Sequence, residues 1–491
     1  MDRIGKIYRK IVRLRPSGFW PGFIIGLIYF SYIFGWFWSL YPLDTLGVAN
    51  RFLGFLLILF VFMLTVACAS LFWGLFSFFS TRLTKGSAKE YLTPFFLASI
   101  FVLAEYLRSW GIGIVWIGSG SFLGPHWTLG NPAYLLSFLP WLLRTSSVWG
   151  IYGIDFIIIF SLSALVLATS KNSHEKKILL GEILIILVSL FAVNNISFSK
   201  QEGTPLTFSI IQTNKITKID YSLDELLNDF SQKNVMLKNA AKNSDIIVFP
   251  ETANFSQILS EFFNPAMAQK YFNNLSPNNI LIVDSNRILE SSGLKSKVIF
   301  IDSKNGVIGS YDKKLLTPGG EFLPYIFKIP LSIFGFSQKN NLDLSEFTSG
   351  SGSNIIAYQN NNIKVLVCSD IISPSLAREG AFDFILGLNS MGIFRGNKQI
   401  EGQAGTLAQF RAVENGKYLV MASNYGRSYL VNPQGNIMES TSSNGYQILT
   451  GSVVPNKTRT WYNKLGDLPI LLLSLAIFGL YFKNYLYAKQ D

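Results

Sequence analysis

The chain has 491 residues, of which 49% are hydrophobic, 15% aromatic and only 15% charged, and its mean hydropathy is +0.31. That balance excludes a disordered chain and a wholly soluble one, and points to an integral membrane protein with a sizeable extramembrane part. The formal net charge is +12, but no DNA- or RNA-recognition module is visible and six of the basic residues crowd ahead of the first apolar run, where membrane orientation explains them, so a nucleic-acid partner is set aside.

Arg3, Lys6, Arg9, Lys10, Arg13 and Arg15 open the chain. Apolar runs suited to spanning a bilayer, which takes about 20 residues, lie near 19–38, 52–79, 92–107, 147–169, 178–195 and 467–484. The first is too long and aromatic for a signal peptide and lacks a small-residue cleavage site. Residues 111–146, with Gly, Pro and Trp, read as a re-entrant segment or a further short hairpin. Basic loops holding Arg82, Lys85 and Lys89, and Lys171, Lys176 and Lys177, fall on the side of the N-terminus, whereas loop 39–51 holds only Arg51. The positive-inside tendency then places both termini in the cytoplasm and the long middle segment outside. The expected domains are N-terminal transmembrane helices over 1–199, an external domain over 200–460, and a C-terminal transmembrane helix with a cytoplasmic tail over 461–491.

Within the spans, Cys68 reads as membrane core. Glu105 and Arg108 are spaced i, i+3 near the outer end of the third run, which suits either a structural ion pair or a lipid-headgroup site. His126 and His174 have no acidic or Cys neighbours at ligand spacing, so no metal site is argued.

From residue 200 the pattern changes. Strands are expected at 206–212, 245–250, 280–284, 298–302, 363–368, 382–388, 418–423 and 447–453, and helices at 222–243, 256–275, 373–380 and 400–416. Their alternation argues an α/β domain of layered sheets. Three places in it carry chemistry. The strand Asp245-Ile-Ile-Val-Phe-Pro-Glu251 delivers an acid past its end, either a general base raised by partial burial or a solvated loop residue. Lys313 precedes a Gly/Pro turn with Glu321 eight residues on; it suits an oxyanion-stabilising cation or one of a solvated lysine pair with Lys314. Cys368 ends the strand Ile363-Lys-Val-Leu-Val and stands before Ser373-Pro374, an N-cap followed by Pro at the first helical position. Helix-dipole logic there favours thiolate. An unpaired cysteine in an exported domain is a liability unless it works.

Pro250-Glu251, the Lys313 to Glu321 turn and Cys368 resemble the Glu-Lys-Cys triad of the nitrilase (carbon–nitrogen hydrolase) superfamily. Glu105-Tyr-Leu-Arg-Ser-Trp110, Gly150-Ile-Tyr-Gly-Ile-Asp155, Gln409-Phe-Arg-Ala-Val-Glu-Asn-Gly416, Ser423-Asn-Tyr-Gly426 and Asn432-Pro-Gln-Gly435 narrow the resemblance to its apolipoprotein N-acyltransferase family. The resemblance implies a multispan α-helical membrane domain of about eight helices carrying an α-β-β-α nitrilase sandwich on the periplasmic face of a bacterial inner membrane. It implies transfer of an acyl chain from a phospholipid donor to the α-amine of a diacylglyceryl-cysteine apolipoprotein acceptor, with no cofactor and no metal. Cys368 would be nucleophile, Glu251 general base and acid, and Lys313 the oxyanion stabiliser, with Glu321 orienting the site.

Two places depart from the family pattern. Ser369-Asp370 follows the nucleophile where an aromatic residue and Glu are usual, so Asp370 is expected to support the site with a shorter reach. Leu388-Asn-Ser-Met-Gly392 keeps only Asn389 of the usual Ser-Asn-Asp-aromatic stretch. The apolar segment from Phe322 to Phe336, including Tyr325, Phe327 and Phe334, reads as an interfacial lid for acyl chains or as ordinary core. The same triad also fits a membrane-tethered amidase using water, and a lipid- or lipoprotein-binding homologue with weakened catalysis.

Overall fold

The computed structural model describes residues 18–46, 48–84, 90–118, 126–169, 173–196, 203–218, 220–333 and 346–487. The basic cluster Arg3 to Arg15, and Lys85, Lys89, Lys171, Phe334, Phe336 and Lys489, lie outside the described residues.

Five apolar helices come first: α1 (Phe19–Ile33), α2 (Arg51–Leu83), α3 (Thr93–Val115), α4 (Ser146–Ala168) and α5 (Ser173–Asn194). The last four are long and apolar enough to cross a membrane, whereas α1 is shorter because Gly35–Leu40 tightens into a 3₁₀ turn. Asn50 starts α2 by accepting the Leu53 amide at 3.1 Å, a side-chain N-cap. Helices α1 and α2 approach closely: a Cβ on Gly22 would lie 2.2 Å from the Trp73 carbonyl oxygen, so only glycine fits. The 111–146 region contains 3₁₀ and single-turn pieces, Pro132–Leu136 and Pro140–Leu143, rather than a further long hairpin among its described residues.

The i, i+3 pair is structural. Glu105 and Arg108 are both fully buried, with Arg108 Nη2 2.8 Å from Glu105 Oε2, and Arg108 Nη1 donates to the Leu129 carbonyl at 3.1 Å. Trp73 Nε1 and Asn131 Nδ2 also donate to Glu105, at 2.7 and 3.2 Å, and Asn131 reaches Asp155 at 2.5 Å. The Glu105–Arg108 pair is thus partnered from within the helices and closed off from the surface.

The α/β part is two stacked sheets. One has strand order β12-β1-β2-β3-β4-β5, from β1 (Leu206–Gln212), β2 (Ile246–Val248), β3 (Leu281–Glu290), β4 (Gly293–Asp302), β5 (Gly306–Asp312) and β12 (Gln447–Val453). The other is β11-β10-β9-β8-β7-β6, from β6 (Ile355–Tyr358), β7 (Asn361–Val367), β8 (Phe384–Ser390), β9 (Leu419–Asn424), β10 (Tyr429–Val431) and β11 (Ile437–Ser440). The period-two alternation sorts the side chains. Phe208, Ile210, Ile246 and Val248 meet Ile363, Val365, Val367 and Leu386 between the sheets, each worth about 1.5–3 kcal/mol of burial.

On the outer face of the first sheet, Ile211, Ile247 and Phe249 pack under α6 (Leu223–Ala240), α7 (Phe255–Phe262) and α8 (Pro265–Asn273). The single helix expected at 256–275 is two, because Asn264 caps a new start at Pro265, whose ring cannot continue the one before. The arm helix α9 (Tyr325–Ile333) follows β5. On the outer face of the second sheet, Leu366, Ile385 and Leu419 pack against α10 (Lys398–Asn415), and the same core runs on into Ile151 and Phe156 of α4. The architecture is therefore an α-helical membrane part joined through one continuous core to an α-β-β-α sandwich. Gly150 marks the joint: at φ +67 it breaks α4, and the Tyr462 ring lies 2.2 Å from where a Cβ would stand. The closing apolar helix, α11, is Leu468–Tyr487.

A second joint lies on the other side of α10. Arg395 Nη2 pairs with Asp44 at 2.9 Å and its guanidinium donates to the Tyr41 and Pro42 carbonyls, while Gln403 donates to Ile33 at 2.9 Å. Trp36 meets Phe394 edge-on at 5.2 Å. The loop after β8 and the first turns of α10 are thereby held by the end of α1 and the segment that follows it.

Candidate active site

Glu251, Lys313 and Cys368, spread over more than a hundred residues of sequence, come together where β2, β5 and β7 end. Parallel pairing of β1 with β2 and of β7 with β8 points their C-terminal ends to one edge, and acids or nucleophiles leaving strands at that edge share one pocket. Lys313 Nζ lies 3.1 Å from Glu251 Oε1 and 2.9 Å from Glu321 Oε2. Cys368 adjoins Glu251 and Lys313, whose charges act on its thiol in opposite senses. The three residues and Glu321 form one contact set, with Lys313 only 1% exposed.

Local backbone explains the convergence. The Phe249 amide bonds to Val283 and the Asn254 amide to Ser285, both at 2.9 Å, so the turn carrying Glu251 is stitched to β3. The amide of Lys313 donates to Ser296 on β4 and its carbonyl accepts from Gly350. A Cβ on Gly350 would lie 2.1 Å from the Asp312 carbonyl oxygen, so that second strap requires glycine. Glu321 is returned to Lys313 by its turn: the Thr317 amide donates to Glu321 Oε2 at 2.7 Å. Cys368 has φ +47, the left-handed region that costs a non-glycine residue about 1–2 kcal/mol and that here turns the sulfur out of the strand line.

The expected helix-dipole activation of the thiol is not what the structure shows. Ser373 does cap a helix by accepting the Leu376 amide, but that helix, Pro374–Arg378, has five residues, and the 3₁₀ turn Cys368–Ile372 stands between. Burial pushes the Cys368 thiol well above its ordinary range, the Glu251 carboxylate adds to this, and Lys313 opposes it. Burial thus favours the protonated form of the sulfur. Burial also raises Glu251, against the pull of Lys313. Burial alone would lower Lys313, but its acidic neighbours Cys368, Glu251 and Glu321 outweigh it and raise it, which favours the ammonium. The arrangement is a nucleophile beside an acid of raised basicity and a cation fixed by two carboxylates: a constellation suited to acyl transfer through sulfur.

Asp370 does not touch the three. Its carboxylate accepts from the Tyr311 hydroxyl and Leu315 amide at 2.8 Å and from the Val367 amide at 3.0 Å. It ties the Lys313 loop to the strand that ends at Cys368. Ser369 adds to the tie by donating to the Leu315 carbonyl. Sequence reasoning missed Tyr311 and the strand β5 that delivers Lys313, although Asn305-Gly306 is a hairpin-turn signal. Asn389 lies buried on β8 beside β7, and makes no hydrogen bond to Glu251, Lys313 or Cys368. Its neighbour Ser390 accepts from Asn424 at 3.0 Å, and Asn424 in turn binds Thr213 at 2.8 Å, which locks the two sheets at the catalytic edge.

The apolar arm divides. Phe322 is buried with Leu316 and Phe347, so it is core rather than a lipid-facing residue. Tyr325 is exposed, and its amide donates to the Ile117 carbonyl at 2.7 Å. Phe327 stacks near Trp116 and meets Phe60 of α2 edge-on, at 6.3 and 5.9 Å. The arm is docked on the ends of α2 and α3, with Ile326 and Ile329 left exposed. Among the described residues, no three His, Cys, Asp or Glu side chains gather as a metal site.

The Carbon-nitrogen hydrolase family model matches residues 216–463, the segment that holds every residue of this constellation. Among similar proteins, apolipoprotein N-acyltransferase of Rickettsia prowazekii (strain Madrid E) is 25% identical over 385 residues, 76% of this chain and 73% of that protein. The protein of the same name from Pseudomonas syringae pv. tomato is 23% identical over 508 aligned residues, 95% of this chain and 93% of that one. The likeness to the second protein extends beyond the sandwich into the membrane helices.

Proposed function

From the premise that this chain belongs to the carbon-nitrogen hydrolase family, we propose that it is an apolipoprotein N-acyltransferase. The reading takes a fatty acyl chain from a membrane phospholipid to the N-terminal amine of a diacylated apolipoprotein. Its main support is one observation: the Glu251–Lys313–Cys368 contact set sits on a sandwich fused to bilayer-length helices, and the relatives aligned over both parts carry that name.

Each step follows from the groups present. The Cys368 S–H gives its proton to Glu251 as sulfur attacks the ester carbonyl carbon, and the developing oxyanion faces the Lys313 ammonium. The C–O bond breaks, and Glu251 returns the proton to the leaving alkoxide, giving a lysophospholipid and a thioester. The acceptor amine then attacks the thioester. Its proton passes by way of Glu251 to the departing sulfur, and the thiol is restored. Because burial favours the protonated thiol, transfer to Glu251 is coupled to attack, which suits a nucleophile that must not oxidise outside the cell. The reading places the sandwich on the periplasmic side of a bacterial inner membrane, where the acceptor emerges.

Intact-mass measurement after mixing the protein with phospholipid tests it. A fatty-acyl adduct on Cys368, discharged by hydroxylamine and by a diacylated lipopeptide, is expected. Discharge by water at the same rate as by the lipopeptide would favour the amidase reading, and no adduct at all would remove both.

A further inference from the structure

Beside the contact set lies a second cluster that the acyl-transfer chemistry leaves unused. Lys215 follows β1 at the catalytic edge: its amide donates to Asn424 Oδ1, its carbonyl accepts from Asn424 Nδ2, both at 2.8 Å, and Asn424 also holds Ser390. Arg287, near the end of β3, is docked to the turn that carries Glu251, its amide donating to Asn254 Oδ1 at 3.0 Å. Both backbones therefore belong to the mouth.

Their cationic ends lack full compensation. Lys215 Nζ is 3.8 Å from Asp229, beyond hydrogen-bond distance. That carboxylate is already engaged by Lys233 at 2.7 Å and by the Tyr446 hydroxyl at 2.9 Å. What Lys215 does touch is the Tyr221 ring, 4.0 Å below it, and Tyr221 is fixed by donating to the Ile216 carbonyl at 2.6 Å. Arg287 is exposed, and its guanidinium has no hydrogen-bond or ion-pair partner among the described residues; its Cζ lies 5.6 Å from the Phe347 ring. The two cations feel each other: burial pushes Lys215 down, Asp229 opposes that, and the Lys233 and Arg287 charges push it further down, while Arg287 also reaches Glu251. By contrast, the nearby Lys218 is neutralised by Glu225 at 2.5 Å.

Two cations near the catalytic edge, each against an aromatic ring and neither hydrogen-bonded to a carboxylate, suit an oxyanion. Resting on the acyltransferase reading, we propose that Lys215 and Arg287 bind the phosphodiester of the donor phospholipid and so hold its ester over Cys368. The phosphate adjoins the glycerol ester, so fixing one end of that short linkage restricts the other. An apolar groove would accept any acyl ester; this pair would select donors that carry a phosphate.

The test compares two donors in mixed micelles, a phospholipid and the diacylglycerol that lacks only its phosphate headgroup, with Cys368 acylation read by intact mass. Wild-type protein should be acylated at least about tenfold faster by the phospholipid at low mole fraction, as one charge-assisted contact is typically worth that much. Lys215→Gln together with Arg287→Gln should bring the phospholipid rate down to the diacylglycerol rate, which should itself change far less; Lys218→Gln should change neither rate. Equal slowing of both donors by the double variant would overturn the subsite in favour of a structural role. A wild-type rate indifferent to the headgroup but slowed by inorganic phosphate at constant ionic strength would assign the cations to free phosphate and overturn it too. A variant impaired only toward the lipopeptide would move the pair to the acceptor, again overturning it. A wild-type protein acylated by neither donor would strike the acyltransferase reading itself.

Discussion

The Tyr311 hydroxyl donates to Asp370 Oδ2 at 2.8 Å, joining the end of β5, one residue pair before Lys313, to the turn just after Cys368. Through this bond the first sheet registers its cation against the nucleophile of the second. The aspartate that replaces the family's usual glutamate reaches its three donors without the missing methylene, because the 3₁₀ turn brings it inward.

Asp370→Ala is expected to leave the Leu315 and Val367 amides and the Tyr311 hydroxyl without an acceptor in a buried place, at a cost of about 2–4 kcal/mol. Chemical denaturation would show it, and Cys368 acylation should slow in parallel. Burial raises the Asp370 carboxyl to about 6, although the two backbone amides pull it back. The folded state therefore favours the protonated form: this contribution is complete below about pH 4, the unfolded value, and is lost as pH rises through about 6. Asp370→Asn should flatten stability against pH across that window.

Glu251→Gln separates thiol acidity from catalysis. Burial is the first cause of the raised Cys368 thiol and the Glu251 charge the second, so removing that charge beside Lys313 lowers the thiol pKa. Alkylation by iodoacetamide at pH 7 should quicken about tenfold, one pKa unit of thiolate, while acyl transfer falls by about two orders of magnitude or more. Slower alkylation in this variant would count against the assignment of Glu251 as the partner of the thiol.

Lys313→Met leaves two carboxylates, Glu251 and Glu321, facing each other in a closed pocket. Loss of one partner from a buried ion pair costs about 3–5 kcal/mol, visible as a lower Tm. Lowering the pH should recover stability, since one carboxylate then protonates, but not activity, since the cation opposite the oxyanion stays absent.

The sandwich strands were legible because buried strands write themselves as aliphatic runs, and β1 and β12 fall where the alternation puts them. The three chemical residues were legible singly, as an acid, a base and a thiol at strand ends. Their contact was not: the Lys313–Glu251 bond spans 62 residues, and local patterning carries no information at that range. Short, glycine-containing β5 escaped for want of apolar density, although it alone brings Lys313 to the pocket. The helix dipole at Cys368 was over-read because a cap-and-proline signal marks a helix start without giving its length. Phe322 was read as surface because an apolar run does not say which of its members turns inward; the tight pass of Gly118 beneath its ring decides that.

Arg108→Ala alone should destabilise by about 3–5 kcal/mol, since Glu105 is then a buried charge with only neutral donors. Glu105→Leu combined with Arg108→Met should cost less than the sum of the two single changes. Refolding equilibria in detergent of the four proteins give the coupling. Additive losses would mean that the two side chains do not act as a pair.

The exposed side of α9 should sit in lipid. A spin label on Ile329→Cys is expected to be relaxed by a lipid-soluble paramagnetic agent in bilayers, whereas one on exposed Leu289→Cys is expected to respond to a water-soluble agent. A water-like response at 329 would leave the arm as packing between lobes.

The docking of Arg395 on Asp44 and of Gln403 on Ile33 has a consequence for synthesis. The ribosome delivers the segment after α1 some 350 residues before the loop that seats on it, so that loop meets its seat only after most strands of the sandwich have been made. A piece cut away at the first strand would own every reacting atom and still leave Arg395 and Gln403 without these partners.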